Sequence, residues 1–250
     1  MILRRLSQHV NDQNWFAVAL DFFIVVIGIL IAFQITNWSA AHQDNLIYEQ
    51  ARTRVIEEAN ANLSLAQNTL KQLRGQQIEA VEIIQALATC KADEGAEERF
   101  MRTIQSLRLI AGLTVQSSAI SQILTSDAFL DNISPEDRSI LSVYARRIDT
   151  VAGFSQFSDS FQLNRSPPQD NPIFKRTLDG DFGNGLALMQ LTVSYEQACQ
   201  DIALNQFLFD RLENGSYIIR LAKSLAKASR EVLIGLGESL PETPEFEEKP

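Results

Sequence analysis

The chain has two cysteines, whose side chains could form a disulfide bond. Cys90 lies at the end of a long stretch in which apolar residues recur at helical spacing, and Cys199 lies much later in the sequence. In an oxidising compartment a solitary pair is often a disulfide, whereas in the cytosol the same pair is two buried thiols. The choice between a Cys90–Cys199 disulfide and two thiols therefore depends on which side of a membrane this region lies.

Histidine is confined to the start of the chain. Its two copies are His9 and His42, so the region 43–250 has no imidazole. That absence removes histidine-dependent acid–base catalysis and most zinc sites from this region. The sequence also has no Gly-rich phosphate loop, no G-x-S-x-G motif and no metal-spaced set of cysteines and histidines. We therefore predict no catalytic residues, no metal site, no cofactor and no enzymatic activity.

Carboxylates cluster at three places that could do chemistry. The stretch "DGDFGNG" from Asp179 suggests a calcium loop, but Gly183 and Gln190 occupy positions where an EF-hand needs Asp or Asn and then Glu. We interpret it as a flexible turn. The adjacent pairs Glu57-Glu58 and Glu97-Glu98 are predicted to be solvated on helices. A net charge of -9 without any Lys/Arg block argues against nucleic-acid partners.

The location of the rest of the chain depends on the apolar run from Trp15 to Phe33, which is interrupted only by Asp21. At ~1.5 Å per residue it covers about 28 Å, close to the roughly 30 Å hydrocarbon core. Trp15 and Trp38 bracket it as interfacial anchors. We predict a transmembrane helix over 15–38. A signal peptide cleaved near Ser39 is the alternative, which the length of the run and Asp21 disfavour.

The segment 1–14 places its apolar residues on one helical face and Arg4 and Arg5 on another. We predict a short amphipathic helix on anionic lipid, with a frayed terminus as the alternative. Arg4 and Arg5 favour a cytoplasmic N-terminus. Because Arg52 and Arg54 lie not far beyond the span, the difference in positive charge between its two sides is small. The expected location is a bacterial inner membrane, crossed once, with the domain that follows in the periplasm.

Asp21 needs an explanation because a carboxylate at that depth costs a few kcal/mol unless it snorkels, pairs or is protonated. Asp21, Val25, Gly28 and Ala32 recur at three- and four-residue steps and so share one stripe. Gly28 and Ala32 form a pair of small residues that lets helices approach closely. We predict a helix–helix contact face, for self-association or for a protein partner in the bilayer. A snorkelling, functionally silent Asp21 is the alternative.

Beyond the span, apolar residues continue at steps of three and four, which is typical of a coiled coil or of a long bundle helix, and we place this helix from about 40 to 91. Further helices are predicted over 96–112, 117–125, 135–163, 186–212 and 216–240, with a loop before residue 186 and a break at Asn214-Gly215. Phe154, Phe157 and Phe161 are interpreted as core residues. The fold class is all-α: a bundle over 39–240, followed by a disordered acidic tail over 241–250.

Two stretches resemble a known family. "ILRRLSQHVNDQNWFAVALDFFIVVIGILIAFQITNW" and "AISQILTSDAFLDNISPEDRSILSVYARRI" are similar to uncharacterised single-span membrane proteins of Proteobacteria. Asp21 matches the family's acidic residue in the span, and Arg138, Leu141 and Tyr144 match its middle helix. The chain departs from the family at Ser126-Asp127, where relatives have a Ser/Thr-Gly turn. The resemblance implies an anchor and a helical domain, and it implies no activity.

The sequence leaves two possible functions for the protein. The first is a membrane-anchored helical interaction or scaffold protein. The second is a periplasmic sensory or ligand-binding module that signals through a partner protein. In both cases the expected partners are the lipid bilayer and another protein.

Overall fold

The computed structural model of the protein describes residues 15–91, 93–107, 110–126, 129, 133–164, 171–177 and 188–240. The predicted amphipathic segment with Arg4 and Arg5, the "DGDFGNG" turn and the predicted tail over 241–250 lie outside these residues. Trp15 is described by its backbone only, as the first residue of a helix.

A single helix, α1, runs from Trp15 to Thr89 over 75 residues. It is about 110 Å long at ~1.5 Å per residue. The chain has neither Gly nor Pro between Ile29 and Arg74, so nothing in this section interrupts the hydrogen-bond ladder. The predicted transmembrane helix therefore continues into the bundle without a break, and the predicted fold class is confirmed.

The remaining elements are mostly helical. They are α2 Ala96–Leu107, α3 Ser118–Thr125, α4 Pro135–Asn164, β1 Phe174–Thr177, β2 Leu188–Leu191, α5 Tyr195–Ala198 and α6 Ile202–Gly235. The predicted starts of α2, α3 and α4 agree within a residue or so, and α2 ends earlier than expected, at Leu107.

The core of the bundle lies where α6 packs on both α1 and α4. Both packings are antiparallel: α1 contacts α6 through Gln77 and Ser216 at one end and through Arg52 and the carbonyl of Leu236 at the other. Alanines at 59, 66 and 80 of α1 are fully buried, which lets α6 approach closely. Seven residues of α1 that follow the predicted spacing of three and four are buried in this core: Ala59, Leu63, Ala66, Leu70, Leu73, Ala80 and Leu87.

A small antiparallel hairpin is the part of the fold that the sequence prediction missed. β1 pairs with β2, with Phe174 opposite Leu191 and Thr177 opposite Leu188. The prediction of a loop over the first strand and a helix from 186 was wrong in these places. Leu and Met favour helix, but the side chains of Phe174 and Met189 are buried against the bundle, and such packing overrides local propensity.

The predicted helix break at Asn214-Gly215 was also wrong, because α6 passes through it. A Cβ on Gly215 would lie 3.5 Å from Nε2 of Gln77, an ordinary contact distance, so the glycine lies where α6 packs against α1. Asn214 is buried, and its side-chain oxygen accepts a hydrogen bond from Ser158 at 2.6 Å. The pair "NG" serves packing here and does not form a turn.

The orientation of the second half of α4 was predicted wrongly. Phe154 and Phe157 are exposed, at 49% and 66%, whereas Ser155 and Ser158 are buried at 2% each. The side chain of Phe161 lies outside the described residues. The serines face inward because their hydroxyls hydrogen-bond to groups on neighbouring elements, and a phenylalanine cannot make such bonds.

Candidate functional sites

The first part of α1 is long and apolar enough to cross a membrane, by length and composition. None of its most apolar section is buried against the rest of the protein. The exposed apolar side chains form a belt around the whole helix: Val18, Leu20, Phe22, Phe23, Ile24, Val25, Ile27, Ile29, Leu30, Ile31, Phe33 and Ile35. An apolar surface on all sides of an unpacked helix is what lipid requires.

The predicted contact stripe lies on this uncovered section. Asp21, Val25, Gly28 and Ala32 are all exposed, and a Cβ added to Gly28 would meet nothing within 4 Å. One turn later, Thr36 donates its hydroxyl hydrogen to the carbonyl of Ala32 at 2.9 Å. Within the described chain no other element occupies the stripe, so it is available to lipid or to another helix.

Trp38 and His42 mark the end of the apolar section. Trp38 is exposed, and its ring stacks on that of His42 with the centroids 6.0 Å apart. Residues 39–47 are exposed on all faces of α1. They place the start of the bundle about 15 Å beyond Trp38, at ~1.5 Å per residue.

The bundle begins at Tyr48 and Arg52. Tyr48 is buried and its hydroxyl donates to a carboxylate oxygen of Asp137 at 3.4 Å, at the start of α4. Burial and the nearby charge of Asp137 raise the pKa of the Tyr48 phenol. Arg52 donates to the carbonyl of Leu236, at the end of α6. Both contacts fasten α1 to the end of the bundle that lies nearest to the apolar section of α1.

Glu58 is a buried carboxylate, so the prediction that the pair Glu57-Glu58 is solvated was wrong for this residue. It accepts hydrogen bonds from the backbone amides of Ala119, at 2.7 Å, and Ile120, at 3.3 Å. These amides open α3, whose own N-cap residue, Ser117, makes no side-chain cap bond. The carboxylate on α1 therefore caps α3 and complements the positive end of its dipole.

Asn62, one turn after Glu58, is fully buried and holds the chain just before α3. Its side chain donates to the carbonyl of Gln116 at 2.8 Å and accepts from the Gln116 amide at 2.9 Å. It also donates to the hydroxyl of Tyr144, at 2.9 Å. Burial raises the pKa of the Tyr144 phenol, so the hydroxyl stays protonated at neutral pH.

The same connection is held from its other side by α4. The amide of Gly112 donates to Oδ1 of Asp159 at 2.8 Å, and the amide of Leu113 donates to the hydroxyl of Ser155. A Cβ on Gly112 would overlap both acceptor side chains, so only glycine fits there. The segment 110–117 is thus clamped between α1 and α4 by side chains whose hydrogen-bonding groups are already occupied, and this role is structural.

Cys90 and Cys199 form a disulfide, which is the pairing that the sequence left as one of two alternatives. Their Cα atoms are 5.7 Å apart. Cys90 follows the last residue of α1 in a left-handed conformation, with φ at 48°. Cys199 follows α5, which starts with a capping box between Ser194 and Gln197. The bond ties the C-terminal end of α1 to the turn that precedes α6.

A cleft lies beside this disulfide, between the last turns of α1 and the first two turns of α2. Its volume is about 400 Å3, within the range of small-molecule sites. Charged side chains from both helices line it, together with Tyr195 of α5. In the described residues no group of three or more His, Cys, Asp or Glu side chains is arranged to hold a metal ion. Sequence reasoning missed the cleft because no local pattern shows how α2 packs against the end of α1 or that the distant Tyr195 joins them.

The fold defines this chain as a predominantly helical protein whose N-terminal helix is able to cross a membrane and is continuous with the bundle. No protein-family model matches the chain, and no curated protein or solved structure matches it.

Proposed function

We propose that the protein is a single-pass protein of a bacterial inner membrane whose helical domain acts as an interaction or scaffold module. The observation that carries the proposal is the continuity of α1, which has an uncovered apolar section and then forms one side of the bundle. An unbroken helix transmits the position and rotation of the anchor to the domain. Contacts between anchors would therefore arrange the domains relative to one another.

The proposed orientation has the N-terminus in the cytoplasm and the bundle in the periplasm. Arg4 and Arg5 support it through the excess of positive charge on cytoplasmic sides. The Cys90–Cys199 disulfide supports it as well, because such bonds persist in oxidising compartments. The bacterial origin and the single-span family belong to the same proposal and rest on the sequence resemblance.

Reporter fusions after Pro250 test the orientation. A reporter that is active only in the periplasm should be active, and one that is active only in the cytoplasm should be silent. The protein recovered from membranes should still contain the span, which distinguishes an anchor from a cleaved signal peptide. The reverse pattern of reporter activity would place the bundle in the cytoplasm and end this part of the proposal.

Recovery of partners from membranes tests the scaffold role. The full chain is cross-linked in membranes, extracted in mild detergent and purified, and the same procedure is applied to Gly28→Leu. A second copy or a defined protein that is recovered with the parent and lost with the variant supports the role. Recovery that is equal for both variants would show that the stripe at Gly28 does not organise the assembly.

The cleft between α1 and α2 favours a second candidate function, a sensory or ligand-binding module that signals through a partner protein. A stiff helix joining such a cleft to the membrane is a means of coupling the two. A small molecule that co-purifies with the full chain, in place of a protein partner, would favour this alternative over the scaffold.

A further inference from the structure

The cleft at the membrane-distal end of the bundle has walls of opposite charge. Glu79 and Glu82 lie on α1, whereas Lys91 lies on the connection after α1 and Arg102 lies on α2. Within the described residues, Glu79, Glu82 and Lys91 form no ion pair, and Arg102 contacts only Glu98, at 3.4 Å on the exposed surface. The charges on both sides are therefore available to a molecule that enters the cleft.

The two remaining charged groups in the lining neutralise each other. Arg99 pairs with Asp93, and its guanidinium also donates to the carbonyl of Glu94 at 3.0 Å. This pair adds no net charge to the lining. The separation of charge in the cleft thus comes from Glu79 and Glu82 on α1 and from Lys91 and Arg102 on the connection and α2.

Two buried hydroxyl-bearing residues, Thr103 and Tyr195, also line the cleft, at 3% and 4% exposure. In the part of the chain that the structure describes, neither hydroxyl has a hydrogen-bond partner. Burial, and after it the charge of Asp93, raises the pKa of the Tyr195 phenol, so it remains a hydrogen-bond donor at neutral pH. The edge-to-face packing of Phe100, 5.8 Å between ring centroids, holds the Tyr195 ring in place.

Small apolar side chains complete the lining. Ile83 and Ala86 of α1 and Ala96 of α2 leave room between the charged walls and offer an aliphatic surface. A cavity of about 400 Å3 accommodates a small organic molecule and not a polymer segment.

We propose that this cleft binds a small zwitterion, a molecule with one ammonium and one carboxylate group joined by a short aliphatic chain. Glu79 and Glu82 bind the ammonium group, Lys91 and Arg102 bind the carboxylate, and Ile83 contacts the aliphatic chain. Because both charges of the ligand are matched, a molecule with only one of them leaves charged side chains facing each other across an incompletely filled cleft.

The disulfide positions two parts of this site. Lys91 follows Cys90 directly, and Cys199 lies one turn after Tyr195, whose carbonyl accepts from the Cys199 amide at 2.9 Å. The bond therefore holds the connection after α1 against α5. Reduction frees the connection that carries Lys91 from the segment that carries Tyr195. We expect this to weaken binding without changing which ligand is bound.

Titration calorimetry on the full chain in detergent, with its disulfide intact, tests the proposal near pH 7. The probes are 4-aminobutyrate, butyrate and butylamine, which share a carbon skeleton and differ in charge. We expect 4-aminobutyrate to bind and the two singly charged compounds to bind at least about tenfold more weakly. Glu82→Gln and Lys91→Gln should each weaken the binding of 4-aminobutyrate about tenfold, which corresponds to the loss of one charge-assisted contact.

Glu57→Gln and Lys71→Gln are matched controls, since they remove exposed charges from α1 outside the cleft. They should leave binding unchanged. The proposal is overturned by the absence of heat from 4-aminobutyrate up to about 10 mM, by equal binding of the three compounds, or by equal losses in control and cleft variants. If a cleft variant does not fold, as judged by circular dichroism, the comparison of the three compounds on the parent protein still decides. None of these outcomes depends on the recovery of protein partners.

Discussion

The carboxylate of Glu58 on α1 accepts a hydrogen bond at 2.7 Å from the backbone amide of Ala119, which lies 61 residues later in the chain, and so caps the helix α3. One turn on, Asn62 holds both the amide and the carbonyl of Gln116. The long helix therefore contributes more than an apolar face to the bundle. Two polar side chains within its apolar stripe define where α3 begins.

Replacement of Glu58 by alanine should destabilise the domain by about 1–3 kcal/mol, because two buried amides lose their acceptor. Glu58→Gln should cost less, since its amide oxygen still accepts hydrogen bonds. The measurement is urea unfolding of the full chain in detergent, followed by circular dichroism. Glu57→Ala, which removes the exposed neighbouring carboxylate, should change stability by less than about 0.5 kcal/mol. Equal effects at the two positions would contradict the capping role.

Gly112 should not tolerate even the smallest side chain. A Cβ there would lie 2.7 Å from Oδ2 of Asp159 and closer still to the hydroxyl oxygen of Ser155. We expect Gly112→Ala to cost about 1–3 kcal/mol, the range typical of overpacking at a buried position. The same unfolding experiment measures it. Gly153→Ala on α4, where an added Cβ meets nothing within 4 Å, is the control and should be neutral or stabilising. A neutral Gly112→Ala would mean that the clamp around this segment yields readily.

How much of this arrangement the sequence predicts depends on the range of the interaction. The continuity of α1 follows from local information, since an apolar run is followed by heptad spacing without Gly or Pro. The clamp on segment 110–117 depends on groups far apart in sequence, such as Asn62 and Ser155, and no local pattern indicates their pairing. The inward-facing Ser155 and Ser158 show the same difficulty, because polarity alone places serine outside and phenylalanine inside.

The pH dependence of stability should follow from the buried tyrosines. The pKa values of Tyr48, Tyr144 and Tyr195 are raised, in each case first by burial. Unfolded tyrosine ionises near pH 10, so above that pH the unfolded state loses protons that the folded state retains. Below about pH 10 we expect these groups to leave stability independent of pH. Above it we expect a loss of stability of up to about 1.4 kcal/mol per pH unit for each tyrosine.

Unfolding free energies at a series of pH values test this expectation, and phenolate absorbance follows the ionisation directly. Tyr144→Phe should lower stability at neutral pH through the lost contact with Asn62, and it should also reduce the slope above pH 10. Phenolate absorbance that rises near pH 10 for all tyrosines while the protein is still folded would contradict the burial of these groups.

The disulfide should contribute much of the stability of the domain, because it joins residues separated by 109 positions. The chain-entropy estimate is about 4–5 kcal/mol, with smaller values common in practice. The double variant Cys90→Ser/Cys199→Ser should therefore unfold at a clearly lower urea concentration than the parent. Thiol labelling of the unreduced, denatured parent should be negligible and should appear after reduction. Ready labelling of both thiols without reduction would show that the bond does not form in the cell.

Asp21 raises the sharpest question about the anchor, because it is exposed on a helix section that is apolar on all sides. A carboxylate facing lipid costs a few kcal/mol unless it is protonated, paired or close to the headgroups. It shares a stripe with Gly28, where an added Cβ meets nothing within 4 Å in the single chain. If the stripe faces a second helix, the backbones approach at Gly28 and Asp21 finds a hydrogen-bond partner there.

Gly28→Leu and Asp21→Leu should then both reduce self-association or partner recovery in membranes. Val26→Leu, on the opposite face, should leave it intact. Hydrogen bonds between membrane helices average only ~0.6 kcal/mol, so the loss of close packing in Gly28→Leu should weaken association at least as much as the loss of the carboxylate. Cross-linking yield in native membranes measures the effect. Parent-like yields for all three variants would identify Asp21 as a snorkelling residue and would leave this face with no role beyond contact with lipid.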